Sequence, residues 1–108
     1  MSDLKKYIAK RKDVDDEFSV PSAISLISNY PNPFNPITSI KYQLSTESEV
    51  RLNIYDMNGR EVATLINDNI SAGYHEVSWD ASEFSSGIYF YRLTAGDFVD
   101  TKKMIFMK

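Results

Sequence analysis

Tyr30-Pro31-Asn32-Pro33-Phe34-Asn35-Pro36 contains three of the four prolines of the 108-residue chain. Each proline fixes its own φ at about −65° and biases the preceding residue toward extended backbone, so this proline segment is not helical. Proline is tolerated at the first residue or the edge of a sheet. The segment therefore predicts a rigid entrance to a β-domain, with Pro31, Pro33, Phe34 and Pro36 as structural residues.

Beyond the proline segment, apolar side chains recur at every second position, which is the spacing of half-buried strands. Residues 19–28, which contain Pro21, are predicted to be a linker or a first edge strand through Ile24, Leu26 and Ile27. In residues 98–107 both faces are nearly equally apolar, so the inward face stays open between Met104 with Phe106 and Ile105 with Met107. The inward positions predicted elsewhere are Ile40, Tyr42, Leu44, Val50, Leu52, Ile54, His75, Val77, Trp79, Tyr89, Tyr91 and Leu93.

Turn signals separate these strands. Asn58-Gly59 predicts a tight hairpin turn, and Val62 and Leu65, three positions apart, predict a bulge or a change of face in residues 60–66. Residues 67–69 and 71–73, the latter ending in Gly73, are expected to bracket a loop. In the polar crossing of residues 80–87, Ser82 is a candidate cap and Phe84 a candidate plug for one end of the core.

These features predict an all-β fold, an immunoglobulin-like antiparallel β-sandwich of about seven strands, in residues 21–108. Gly87 and Tyr89 fit a tyrosine corner, in which the hydroxyl bonds back to the crossing loop. The chain has no cysteine, so core area rather than a disulfide must hold the sheets together, and Trp79, the sole tryptophan, is expected in that core.

Residues 1–20 are predicted to form a short N-terminal helix and a linker. Leu4, Tyr7 and Ile8 recur at helical spacing, and the acids that begin at Asp13 oppose the helix dipole, so the helix should end near that residue. Residues 1–18 also look weakly like the N-terminal helix of helix-turn-helix antitoxins, which covers too little of the chain to carry a function.

Residue types for catalysis or ligand binding are sparse. His75 is the only histidine and has no nucleophile elbow to serve, so a structural role is expected. The acidic pairs (Glu47 with Glu49, Glu76 with Asp80) and the oxygen ligands for calcium (Asp56, Asn58, Asp68, Asn69) are better explained as solvated strand faces and turns.

We therefore expect no enzyme activity, no cofactor, no metal and no small-molecule substrate. The net charge is −3, and five acids balance five bases in residues 1–17, so no nucleic-acid partner is expected. No apolar run approaches the roughly 20 residues that cross a bilayer, and no signal peptide is seen.

Six blocks in order resemble the C-terminal sorting domain of the type IX (Por) secretion system, type A, over residues 26–108. They are also similar to the immunoglobulin-like domain of flagellar hook-capping proteins. The blocks are Tyr30-Pro-Asn-Pro-Phe-Asn-Pro36, Thr38-Ser-Ile-Lys-Tyr42, Asn58-Gly-Arg-Glu-Val-Ala-Thr-Leu65, Gly73-Tyr-His-Glu-Val-Ser-Trp-Asp80, Ser86-Gly-Ile-Tyr-Phe-Tyr-Arg-Leu93 and Thr101-Lys-Lys-Met104.

The resemblance implies a non-catalytic domain that directs an exported protein across the outer membrane to the cell surface. Its partners would be the secretion machinery of the outer membrane and an upstream cargo domain that this chain lacks. The chain alone shows no export signal, so it would be secreted or reach the surface as part of a larger protein. The family's recognised positions correspond to Gly87, Tyr89, Lys102, Lys103 and Lys108.

Two alternatives to that recognition role follow from the residues. In the first, Gly87 is needed for a turn and has no part in recognition. In the second, Lys103 protects a sheet edge against pairing with another strand and has no part in recognition. At the level of the whole domain, the alternatives are a structural assembly module like that of hook-capping proteins and a carbohydrate-binding accessory domain. The carbohydrate alternative predicts exposed coplanar rings on one face, with Tyr55 or Tyr74 among them and Tyr30 and Phe34 as further candidates.

Overall fold

The computed structural model describes residues 20–108, which form seven antiparallel strands and, within that range, no helix. The helix predicted near residues 3–13 lies outside the described residues, so it stays a prediction, as does the domain boundary at residue 20. No helix in residues 20–108 is long and apolar enough to span a bilayer. The strands are β1 (Ser25–Tyr30), β2 (Ile37–Leu44), β3 (Ser48–Tyr55), β4 (Glu61–Ile70), β5 (Gly73–Asp80), β6 (Gly87–Ala95) and β7 (Phe98–Phe106).

The strands form two layers, a three-stranded sheet in the order β1-β2-β5 and a four-stranded sheet in the order β4-β3-β6-β7. Their inner faces share one core, as in an antiparallel β-sandwich of the immunoglobulin-like kind, so the predicted fold class is confirmed. The predicted inward positions on β2, β3 and β6 are all buried. On β5, an edge strand, Trp79 is buried, while His75 and Val77 are half-buried.

The last strand resolves the alternative that its composition left open. Met104 is 0% exposed and Phe106 is 1% exposed, whereas Met107 is 58% exposed. Gly87 pairs with Phe106 and Tyr89 with Met104, so each inward residue of β7 lies beside an inward position of β6. The face of β7 is therefore set by register with its neighbour and not by its own hydrophobic pattern.

The fourth strand contains two irregularities where the sequence predicts a bulge. Successive residues of β3 skip Leu65 and then Val62 in their pairing with β4, so β4 has one extra residue at each place. The bulge prediction is confirmed. The loop predicted for residues 67–69 is wrong, because these residues continue β4 to Ile70. As an edge strand, β4 can turn polar side chains to solvent while its backbone still pairs with β3.

The β3–β4 turn is organised by Asp56. Its Oδ1 accepts hydrogen bonds from the backbone N–H groups of Asn58 at 2.9 Å and Arg60 at 3.0 Å, and these bonds, the one from Arg60 foremost, lower the pKa of Asp56. Gly59 has φ of +83°, a conformation that favours glycine. The predicted turn is confirmed, but it is longer than a two-residue hairpin, since the Asp56 N–H donates to the Arg60 carbonyl at 2.9 Å.

Aromatic side chains close the end of the sandwich that holds the residue 80–87 crossing. The Trp79 ring centroid lies 5.5 Å from that of Phe84 and 5.4 Å from that of Tyr89. Phe84 therefore plugs this end as predicted. The predicted cap at Ser82 is wrong, because the Asp80 Oδ1 accepts from the Ser82 N–H at 2.9 Å, which lowers the pKa of Asp80. Asp80 takes this position because its side chain can bond the backbone two residues onward.

The burial of tyrosine side chains makes the free energy of unfolding decrease at alkaline pH. Burial raises the pKa of Tyr91 to about 12 from 10.0, while a backbone hydrogen bond from Asn29 acts in the opposite direction. The folded state therefore favours the neutral phenol, and its contribution is complete below pH 10 and is lost as the pH rises toward 12. Between pH 9 and pH 11.5 the wild type should lose more unfolding free energy than Tyr91→Phe, which has no phenol to ionise. We expect the difference between the two losses to be about 2 kcal/mol.

Urea titrations of both proteins at the two pH values measure that difference. Burial also raises the pKa values of Tyr42 and Tyr89, but these groups are present in both proteins and cancel in the comparison. An equal loss of stability in the two proteins would contradict the role given to Tyr91.

Candidate functional site at the C-terminal ribbon

Strands β6 and β7 form a two-stranded ribbon at the C-terminal side of the four-stranded sheet. Strand β7 is an edge strand, since it pairs only with β6 within that sheet. In an antiparallel sheet the backbone groups of alternate residues point toward opposite neighbours. The odd-numbered residues of β7, from Val99 to Ile105, turn their N–H and C=O groups away from β6. The sequence prediction that the last strand lies at an edge is confirmed.

The proline segment covers part of that edge. Phe34 N–H donates to the Ile105 carbonyl at 2.9 Å, and Met107 N–H donates to the Phe34 carbonyl at 3.0 Å, a short parallel bridge beside Phe106. Asn32 extends it, because its Oδ1 accepts from the Ile105 N–H at 3.0 Å and its Nδ2 donates to the Lys103 carbonyl at 3.5 Å. The end of β7 thus has partners on both sides.

Side-chain packing fixes the proline segment to the same place. Phe34 is 2% exposed, and its ring stacks on Phe106 at 5.1 Å and tilts against Trp79 at 5.8 Å. The Pro31 carbonyl accepts from the Thr38 hydroxyl at 2.9 Å, and the Pro36 carbonyl accepts from the Ala81 N–H at 2.9 Å. The Tyr30-Pro31, Asn32-Pro33 and Asn35-Pro36 peptide bonds are cis. The segment is therefore part of the core and of the ribbon's edge.

A short stretch of the β7 edge stays open. Asp100 Oδ1 accepts from the Thr101 N–H at 2.9 Å, which occupies one of the outward groups. Among the described residues, the backbone groups of Val99, the Thr101 carbonyl and the Lys103 N–H have no hydrogen-bonded partner. The sequence prediction of an unpaired edge therefore applies to the first half of β7, whereas the proline segment covers the second half.

The predicted recognition residues divide between the surface and the core. Lys103 is exposed beside the proline segment, and Lys108 is exposed, with its N–H donating to Ser86 Oγ at 2.9 Å. Gly87, with φ of +155°, begins β6 opposite Phe106. Lys102 is half-buried on the other face of the ribbon, opposite Tyr91.

Tyr89 is 6% exposed, so its ring belongs to the core. Its hydroxyl donates to the Ser85 carbonyl at 2.6 Å, which is the predicted tyrosine corner. Burial raises the pKa of Tyr89, and the charge of Asp56 adds to this effect. Tyr89 therefore holds the crossing that precedes Gly87 and presents little surface of its own.

Asn32 is the residue of this site that the sequence prediction missed. The signal available in the sequence was an amide between two prolines, where an Asn side chain can serve as both donor and acceptor. Nothing in that pattern says which strand edge the amide meets, because β7 lies 73 positions away from Asn32 at Ile105.

The structure also locates the residues weighed for other chemistry. His75 stacks on Tyr42 at 5.2 Å, and its Nε2 donates to the Ser71 carbonyl at 2.8 Å beside Gly73, contacts that support the expected structural role. In residues 20–108 no cluster of three or more His, Cys, Asp or Glu side chains could hold a metal ion. Tyr55 and Tyr74 occupy the outer faces of different sheets, so the coplanar platform expected for sugar binding is not formed by this pair.

A comparison with protein families matches the chain to the family described as "Secretion system C-terminal sorting domain" over residues 28–107. The chain belongs to this family. The match begins just before the proline segment and ends just after β7, so it spans both parts of the site described above. Searches of curated proteins and of solved structures gave no match.

The sorting domain acts as a C-terminal signal for type IX secretion, and its family implies a non-catalytic role. It interacts with the secretion machinery, and the larger protein that carries it is exported to the cell surface or secreted. The family predicted from the six sequence blocks is thereby confirmed, while the relation to hook-capping proteins stays a prediction.

Proposed function

We propose that the secretion machinery at the outer membrane recognises the end of the β6–β7 ribbon together with the proline segment. In this proposal Lys103 and Lys108 contact the machinery, Gly87 and Tyr89 position the start of β6, and Lys102 contributes from the other face of the ribbon. The cargo is an exported domain upstream of the sorting domain. The observation that carries the proposal is the set of hydrogen bonds from Asn32 and Phe34 to the edge of β7.

Those hydrogen bonds make one rigid surface from two parts of the chain that the family match contains. A partner that binds a preformed surface loses less conformational entropy than one that must order a loose strand. The exposed end of the ribbon is therefore better suited to recognition than a free C-terminal peptide would be.

Charge supports the same surface. Lys103 and Lys108 are both exposed, and within residues 20–108 neither is paired with a carboxylate; the ion pair formed there joins Arg60 to Asp56 at 3.5 Å. An unpaired surface cation mainly steers and orients a charged partner. We expect the recognising surface of the machinery to carry acidic groups.

The test uses an exported reporter fused to the complete 108-residue chain in a cell with a working type IX system. Lys103→Glu/Lys108→Glu is expected to reduce surface delivery at least about tenfold, as charge reversal at a complementary interface does. Lys41→Glu, an exposed lysine on β2 of the other sheet, is the matched control and should be delivered normally. Circular dichroism of the purified fusions checks that all three fold.

Normal delivery of the folded double variant would refute the proposed recognition surface. The edge-guard alternative for Lys103 makes a different prediction, because Lys103→Gln would then increase self-association with no change in delivery. Size-exclusion chromatography beside the delivery assay separates these two roles.

A further inference from the structure

The outer face of the four-stranded sheet contains a groove of about 570 Å³, away from the proline segment. Pairing places its residues in rows across the sheet, with Asn53 of β3 between Thr64 of β4 and Arg92 of β6. Arg51 occupies the next row on β3, and Tyr55 the row on the other side. Volumes of this size are typical of small-molecule sites.

The two bulges of β4 lie beside the groove. A bulge bends its strand and increases the local twist, so we expect the bulges at Val62 and Leu65 to turn β4 toward the groove. Asn53 points away from the core and is nevertheless only 8% exposed. It forms the floor of the groove.

The polar groups on this floor are held in place. Asn53 Nδ2 donates to the Thr64 hydroxyl at 3.1 Å, and that hydroxyl donates to Glu61 Oε2 at 2.8 Å. Within residues 20–108 no donor is hydrogen-bonded to Asn53 Oδ1. The groove thus has a nearly buried acceptor without a partner, which is costly unless a ligand or water satisfies it.

Arg92 is oriented toward the same space. Its guanidinium carbon lies 4.6 Å from the Tyr55 ring centroid, and its Nη2 donates to the Tyr55 hydroxyl. A guanidinium stacked on a ring keeps other N–H groups free for a carboxylate. The side chain is therefore fixed before any ligand binds.

Arg51 supplies a second cation close by. It pairs across the sheet with Thr94, two positions from Arg92, and such diagonal neighbours are roughly 7–8 Å apart. Within residues 20–108 neither arginine forms an ion pair with a carboxylate. Two unpaired guanidinium groups favour an anion, and Arg binds carboxylates in a bidentate manner.

We infer that this groove binds an acidic saccharide, with a carboxylate held by Arg51 and Arg92 and hydroxyl groups held by Asn53 and Glu61. The carboxylate follows from the two unpaired cations. The hydroxyl groups follow from the neighbouring acceptors, since a hydroxyl can donate to Asn53 Oδ1 and to Glu61 while an anion alone cannot. This site lies on a sheet face and is separate from the ribbon end.

The test titrates the ¹⁵N-labelled chain with three probes, namely tetragalacturonate, the neutral cellotetraose and tetraglutamate. Tetragalacturonate is expected to shift the Asn53 side-chain amide resonances and to bind at least tenfold more tightly than either other probe. Arg51→Gln and Arg92→Gln should each weaken that binding about tenfold, because each removes a charge-assisted hydrogen bond to the carboxylate.

Arg60→Gln is the control, because this exposed arginine lies in the β3–β4 turn outside the lining of the groove. It should bind tetragalacturonate as the wild type does, and thermal unfolding checks that all variants fold. The inference is overturned if tetragalacturonate does not bind, or if its binding survives both groove substitutions. Equal binding of tetraglutamate would also overturn it, since it would indicate a site for acidic peptides.

Discussion

Replacement of Phe34 by alanine is expected to lower the free energy of unfolding by about 3–5 kcal/mol, the cost of removing a buried phenylalanine from a core. The ring is 2% exposed and packs between Phe106 and Trp79. Its loss leaves a cavity where the proline segment meets β7. Urea denaturation followed by circular dichroism measures the change.

The same substitution should also loosen the edge of β7. Met107 N–H donates to the Phe34 carbonyl, so amide exchange at Met107 should become faster relative to exchange in the middle of β6. Phe34→Leu is the control, because it keeps a large apolar side chain at this position and should cost clearly less than Phe34→Ala. A loss below about 1 kcal/mol in Phe34→Ala would contradict the core position of this ring.

Replacement of Trp79 by alanine is the second large effect, again about 3–5 kcal/mol. Trp79 is 4% exposed, and its ring lies within 6 Å of the ring centroids of Phe34, Phe84 and Tyr89. Aromatic pairs of this geometry add to the area that each ring buries. The substitution therefore weakens the packing of one whole end of the sandwich.

The matched control is Tyr74→Ala on the same strand. Tyr74 is 67% exposed, and its removal should change the free energy of unfolding by no more than about 0.5 kcal/mol. Because Trp79 is the sole tryptophan, the transition is followed by circular dichroism and not by fluorescence. Equal midpoints for the two variants would show that the β5 end is not part of the core.

The fold could be predicted from the sequence because period-two alternation and turn residues act locally. The alternation of Ile40, Tyr42 and Leu44 with polar residues predicts which face of β2 is inward, and it does so without information from any other strand. The three-residue interval between Val62 and Leu65 likewise predicts an irregularity in strand pairing, and the structure has two bulges there.

Two predictions, one left open and one wrong, concern features that depend on neighbouring strands. Met104 faces inward because of its register with Tyr89, which a strand apolar on both faces cannot specify. Residues 67–69 are strand because β3 offers them a partner, although their propensities favour a turn. The choice of Asp80 over Ser82 at the crossing is a different case, because that hydrogen bond is local and joins Asp80 to the N–H two residues onward.

The candidate site was predictable in part for the same reason. The blocks around Gly87 and Lys103 identify the family, so they point to the ribbon. The hydrogen bonds of Asn32 to the edge of β7 and the groove beside Asn53 each bring together residues from different parts of the chain. A single sequence does not show that such residues are neighbours.

The bridge between the proline segment and β7 bears on synthesis of the protein. The ribosome makes Phe34 well before Phe106, so the ring of Phe34 lacks its stacking partner until β7 has been translated. Native pairing over such a long stretch of chain cannot precede the emergence of its last strand. A chain that stops short or is clipped before β7 would keep its core open to proteases, so only a chain that includes Phe106 persists as a folded domain.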